Sequence, residues 1–308
     1  MRINVFYIFI FGFICFGSES AFCASQPKTC EEWMGHFPGP FDQAAAKLLC
    51  EKTKHIDGCE SQVGKLPIFH FDQAGNQQGK RILVFSLFHG DEYPAGSVAR
   101  DWMIRLTQLH HGRNHWRVIP IVNPDGVIAK TRVNGRGVDL NRNLPTEKWQ
   151  AEASHRWEAV EKKDQRRFPG GEMASESEVK CVLKHIEDYK PDFIVSLHTP
   201  YGLLDFDGPE KQKNPPVKDL PWKRLGNYPG SLGRFMWAER SIPVLTVELK
   251  GNTFHQTSQY VSKLQDIIGT VAITAGEFGP KEKAMLKQAV LGKEEHSTKK
   301  KVQNLKAL

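Results

Sequence analysis

From about residue 81 onward, hydrophobic and polar positions switch repeatedly between two periods. Residues 81–88 form a near-continuous apolar run, Arg-Ile-Leu-Val-Phe-Ser-Leu-Phe, of the kind shown by strands covered on both faces. Val98, Trp102, Leu106 and Leu109 then fall on one stripe at helical spacing. Residues 117–122 read as the next strand, stopped by the turn sequence Asn123-Pro124-Asp125-Gly126. Ser175 and Glu178 predict a capping box for a helix in which Val179, Val182, Leu183 and Ile186 recur. Two more strands are predicted at 193–197 and 243–249. The charged stretch 149–167 reads as helix or long loop, and 205–227, rich in Pro, Gly and Lys, as an insertion over one face. Strands alternating with amphipathic helices predict an α/β sheet covered on both faces.

Composition narrows the class. With 308 residues, 40% hydrophobic and 25% charged, the chain buries a real core and is neither a disordered polymer nor a polytopic membrane protein. The formal charge is +7, but 281–308 holds eight Lys against three Glu and so carries five of the seven. The rest is nearly neutral, and no Arg/Lys run interleaved with aromatics precedes the tail, which argues against a nucleic-acid partner. At the start, Arg2 is followed by an uncharged run over 5–16 and then Gly17, Ser18 and Ser20. That run is too brief to span a bilayer of about 30 Å, so it predicts a cleaved secretory signal, cut after Ser20 or Ala24, and an exported protein, periplasmic or secreted, without a transmembrane anchor. In an oxidising compartment Cys30, Cys50, Cys59 and Cys181 predict at least one disulfide pinning the N-terminal segment, with the connectivity open; zinc binding is the rival, and no Cys-x-x-Cys pair supports it.

Each expected strand ends in polar residues that make no sense as core. The first runs into His89-Gly-Asp-Glu92, the second leads to the stretch from Arg132 to Asn143, the one near Ile194 runs into His198, and the last carries Glu248. Ligands of open α/β sheets sit outside the carboxyl ends of strands, so the four segments are expected to converge on one crevice. His89, Glu92 and His198 would give a zinc ion two imidazoles and a carboxylate, leaving a fourth position open for water, as hydrolytic sites require. A lone His-x-x-Glu arises often by chance. Glu248 adds weight, because a carboxylate among Val244, Leu245, Val247 and Leu249 is costly unless it has a partner or faces a wet cavity. An edge strand with Glu248 turned to solvent is the plain alternative.

Arg132-x-Asn134-x-x-Gly137-Val-Asp139-Leu-Asn141-Arg142-Asn143, preceded by His89-x-x-Glu92 and followed by His198 and Thr246-Val-Glu248-Leu, resembles the zinc carboxypeptidase family. Tyr228-Pro-Gly230-Ser231-Leu-Gly233 and Phe168-Pro169-Gly170 resemble its bacterial murein-peptide amidase and peptidoglycan-trimming branch. The likeness runs over about 80–251. It implies a mixed, mostly parallel doubly wound sheet with helices on both faces in a catalytic domain over 80–280; outside the likeness, a signal (1–24), a cysteine-containing extension packed on that domain (25–79) and a basic tail (281–308) are expected. The tail is expected to make weak electrostatic contact with anionic wall or membrane.

The resemblance further implies one zinc ion on His89, Glu92 and His198, with Glu248 as general base. It makes Arg132 the stabiliser of the oxyanion, Asn141 and Arg142 the holders of a terminal carboxylate, and Asp139 the acceptor that orients a zinc histidine. Leu144 stands where the family usually has an aromatic, and Tyr228 is the candidate for its substrate-capping tyrosine. The implied activity is hydrolysis of an amide near the free carboxyl end of peptidoglycan stem peptides, by a carboxypeptidase or a γ-D-glutamyl-diaminopimelate amidase. The alternatives are a carboxypeptidase of protein C-termini, an aspartoacylase-type deacylase, or a silent zinc-containing wall-binding protein. Other histidines, among them His110, His111, His115, His155, His185 and His255, are expected at the surface.

Overall fold

Branched and aromatic residues that favour a pleated, half-buried surface build seven strands into one sheet. The computed structural model describes residues 29–275 except 210–211, 213, 218 and 252–255, so the expected signal and basic tail lie outside the described residues. The strands are β1 (Thr53–Glu60), β2 (Pro67–Gln73), β3 (Arg81–Ser86), β4 (His115–Ile119), β5 (Phe193–His198), β6 (Tyr201–Asp207) and β7 (Val244–Lys250). Their order is β1-β2-β4-β3-β5-β7-β6. The four central strands are parallel, and β1, β2 and β6 are antiparallel additions at the two edges. The mixed, mostly parallel α/β architecture is therefore as expected, and the sheet also takes in two strands that precede residue 80.

Helices cover both faces. On one, α1 (Cys30–His36), α2 (Gln43–Cys50), α3 (Tyr93–Gln108) and α7 (Ser258–Ala275) pack over Ile82, Val84, Phe193, Val195, Leu245 and Val247. On the other, α6 (Ser177–Tyr189) covers Leu83, Phe85, Ile119, Ile194 and Val244. Two short helices, α4 (Pro124–Ala129) and α5 (Trp149–His155), lie in the connections. Among the described residues no helix is long and apolar enough to cross a membrane.

Several boundaries differ from the sequence reading, each for a local reason. The first strand stops at Ser86 because Leu87 takes a left-handed conformation, φ 54°, that turns the chain out of the sheet. The second stops before Pro120, which has no N–H to give a ladder. The expected turn at Asn123 starts α4 instead: the Asn123 side chain accepts from Gly126 N at 2.9 Å, and Pro124 occupies the first helical turn. No capping box forms at Ser175. Glu178 instead accepts from Gln62 N, Ser175 donates to Glu176, and the helix begins at Ser177. Leu109 falls one residue beyond α3 and is 36% exposed, so the buried stripe ends at Leu106. Residues 205–207 belong to edge strand β6 rather than to an insertion. His185, expected at the surface, is fully buried.

Two disulfides settle the cysteine pairing. Cys30–Cys50 joins α1 to the end of α2, and Cys59–Cys181 ties β1 to α6. Arg100 fastens the same N-terminal segment to α3. Fully buried, it donates to the carbonyls of Met34, Phe37, Pro38 and Pro40 at 2.9–3.3 Å. Arg100→Met is expected to leave these acceptors unpaired and to lower stability by about 2–4 kcal/mol, read by urea denaturation. A loss under about 0.5 kcal/mol would mean that water replaces the guanidinium.

Candidate metal centre

Side-chain alternation explains where the site forms. On the α6 face of the sheet Ile194 is core, but two and four residues on come Ser196 and His198. Val244 is core on that face, followed by Thr246 and Glu248. Towards the carboxyl ends the apolar layer thus gives way to a polar cleft of about 500 Å³. The register pairs His198 with Glu248 directly, and β6 lies outside β7. Glu248 is therefore on an interior strand, 6% exposed, and the edge-strand alternative does not hold.

His89 reaches the cleft from the turn after β3. Gly90 lets that turn lie against α4, where a Cβ would collide with the Gly126 and Val127 backbone. Glu92 immediately precedes α3, makes no side-chain capping bond to it, and is 7% exposed. Its Oε1 is 2.8 Å from His89 Nδ1 and its Oε2 is 2.8 Å from His198 Nδ1. The two Nδ1 atoms stand 3.2 Å apart, and one potential ligand atom from each of the three residues lies within 4.8 Å of the others. Two imidazole nitrogens aimed at one point beside a carboxylate suit a shared cation, and the nitrogen and oxygen donors suit zinc. Asp139 Oδ1 lies 3.2 Å from His89 Nε2, and Ser196 Oγ lies 2.9 Å from His198 Nε2, so the outer nitrogen of each ring has a partner that fixes its orientation. Burial pushes Glu92 up, but the two histidines outweigh it and hold the carboxyl well below its usual range.

Asp139, fully buried, also accepts from Arg132 Nε and Nη2 at 3.0 and 2.8 Å and from Asn141 N at 3.0 Å. Burial favours its neutral form, but Arg132 and His89 keep it ionised. Arg132 Nη1 is left 3.7 Å from Glu92 Oε1, beside the cluster. Asn141 accepts from Leu232 N at 2.9 Å, leaving its amide NH2 as the donor of a side chain that lines the cleft. Arg142 donates to Asn141 O, lies 4.4 Å from the centre of the Tyr228 ring, and has a buried Nε with no partner among the described residues. Arg156 packs on the same ring at 4.2 Å, so Tyr228 is fixed in the cleft wall. Gly230 has φ +74° and approaches the Arg142 carbonyl so closely that no side chain fits there. Glu248 Oε2 is buried with no partner among the described residues, and burial, with Glu92 nearby, raises the carboxyl pKa despite His198 and a backbone hydrogen bond from Tyr201.

All nine residues singled out in the sequence thus share one cleft or, for Asp139, stand directly behind it. Asp91 also lines the cleft, where it pairs with Arg166 at 2.7 Å, and Arg136 is half exposed. The sequence reading missed Ser196, although its place two residues before His198 on a strand was a legible signal. It also missed Tyr201, and Asp205 on the cleft wall because the 205–227 region was read as an insertion.

A buried carboxyl cluster supports the loop that carries Arg132 and Asp139. Asn134 donates to Glu176 and lies 3.4 Å from Glu178, while its own oxygen accepts from Arg136 N and Val138 N. Burial raises Glu178 to about 7. The folded chain therefore holds a proton that the unfolded chain releases near the ordinary carboxyl value. The resulting stability is complete below that value and is lost as pH rises through about 7. Glu178→Gln is expected to flatten this dependence and to stabilise the protein at pH ~8 by up to about 3 kcal/mol. Parallel melting curves of the two proteins from pH ~5 to ~8 would refute this.

A zinc carboxypeptidase family model matches residues 65–226. The murein peptide amidase A of Vibrio campbellii (strain ATCC BAA-1116) is 32% identical over 196 residues, 59% of this chain and 74% of that protein. That of Escherichia coli (strain K12) is 34% identical over 125 residues, 40% of this chain, so the chain spans about half the length of this relative, 50%. The crystal structure of a murein-tripeptide amidase from Escherichia coli O157 has the same fold, with a TM-score of 0.50 at 24% identity over 80% of this chain and 95% of that one.

Proposed function

The chain belongs to the zinc carboxypeptidase family, and from that premise we propose that it is an exported zinc-dependent hydrolase of peptidoglycan stem peptides. The bond it cuts is the γ-D-glutamyl to diamino-acid amide, the reading favoured by relatives named murein peptide amidase A. The observation that carries the proposal is the gathering of His89, Glu92 and His198 at one point with the free Oε2 of Glu248 on the neighbouring strand. Export rests on the uncharged N-terminal run and accords with the two disulfides.

His89, Glu92 and His198 would hold the ion. When bound, zinc brings the pKa of a water in its open position toward about 7 and polarises the scissile carbonyl. Glu248 takes the proton of the attacking water on its free oxygen and returns it to the leaving amine; a carboxylate in a partly dry cleft is a competent acceptor. Arg132, fixed by Asp139 through Nε and Nη2, presents Nη1 to the oxygen on which charge develops. Arg142 and the Asn141 amide hold the free carboxylate of the substrate, and the Tyr228 ring keeps the Arg142 guanidinium in position.

Mass spectrometry of defined muropeptides, with and without a chelator, tests the reading. Release of a peptide that begins with the diamino acid, abolished by the chelator, is the expected result. Release of a single C-terminal residue would assign a carboxypeptidase, and hydrolysis of ordinary peptides alone would remove peptidoglycan as substrate.

A further inference from the structure

A second group of metal-ligating side chains lies outside the cleft, between β1, β2 and α6. Cys59, Cys181 and His185 each offer an atom within 4.8 Å of the others, and all three are buried. Cys181 and His185 are one helical turn apart, so both face the strand that carries Cys59. His185 is fully buried, and neither of its ring nitrogens has a partner among the described residues. An imidazole so placed leaves both nitrogens desolvated and unsatisfied, a cost that packing alone does not require and a ligand would offset. His70 on β2 packs against it with ring centroids 4.9 Å apart. Its Nδ1 is buried and unpartnered, while its Nε2 faces Asp72 at 3.7 Å.

We propose that Cys59, Cys181 and His185 form a second, zinc-binding site that is filled when the Cys59–Cys181 disulfide is reduced. A dithiol supplies the two electrons and two protons: it becomes a cyclic disulfide as the Cys59–Cys181 bond opens to two thiols. Zinc then binds both sulfurs and releases those two protons. Two thiolates and one imidazole supply three donors of the kind that hold structural zinc. The oxidised chain keeps β1 and α6 joined by the covalent bond, and the reduced chain keeps them joined through the ion.

Cobalt(II) is the probe, because thiolate ligation gives a charge-transfer band that the His89, Glu92 and His198 set cannot produce. The background is the full chain carrying Cys15→Ser, Cys23→Ser, Cys30→Ser and Cys50→Ser, which leaves Cys59 and Cys181 as its two cysteines. The reduced protein is expected to bind one more Co2+ per chain than the oxidised protein, and the extra ion to bring the band. His185→Leu and the Cys59→Ser/Cys181→Ser pair should lose both signals. Equal stoichiometry in the two redox states, or a band unchanged in His185→Leu, would overturn the proposal. So would a reduced chain whose near-ultraviolet circular dichroism is lost and is not restored by the ion.

Discussion

Glu248→Gln is expected to lower turnover about 10²–10⁴-fold while the zinc content of the protein stays unchanged. The amide is nearly isosteric and remains neutral, so the strand keeps its packing between β5 and β6 and only the proton acceptor disappears. Glu248 stands outside the group of three that would hold the ion, which is why metal content and activity should separate. The pair of measurements is kcat on a defined muropeptide and zinc per chain by elemental analysis. Turnover within about tenfold of the parent would take Glu248 out of the mechanism, and loss of zinc along with activity would make it a ligand instead.

Replacing Asp139 with Ala should do damage of a different kind. This one carboxylate receives Arg132, the Asn141 N–H and the outer nitrogen of His89, all in a fully buried position. Its removal strands a guanidinium with Glu92 as its remaining carboxylate at 3.7 Å, for which about 3–5 kcal/mol of stability is the expected loss. It also frees the His89 ring, for which the expected fall in zinc affinity is about 10–100-fold. Denaturation of the zinc-free protein reads the first effect, and competition with a chelator reads the second. Asp139→Asn, which keeps an acceptor for Arg132, should recover part of the stability. If Ala and Asn behave alike in both measurements, Asp139 is a packing residue and not the organiser of the site.

Much of this site could be read before any coordinates, because its residue types are improbable where they stand. Glu248 interrupts an apolar strand, and His198 ends another. The interval from Arg132 to Asn143 has a spacing that resembles a known family closely enough to assign roles. Period-2 and period-3.6 patterns likewise specified the central strands and α3, since burial on both faces leaves few alternatives for a run such as 81–86. The sequence was less informative where tertiary partners compete with local preferences. Ser175 and Glu178 match a capping box, yet Glu178 is drawn to Gln62 of another connection, so the helix starts later. Asn123-Pro124-Asp125-Gly126 suits a turn and a helix start equally, and the packing of Gly90 on Gly126 accompanies the helix.

By itself, then, the chain determined an α/β sheet and marked His89, Glu92, His198 and Glu248 as candidates, because hydrophobic period and the cost of burying charge act locally along the polypeptide. Only the tertiary structure decided which cysteines pair, that β1 and β2 join the central sheet, that Glu248 lies beside His198 on an interior strand, and that His185 is buried next to a disulfide. Those outcomes depend on contacts between residues far apart in sequence, and no local pattern records which distant partner a side chain will meet.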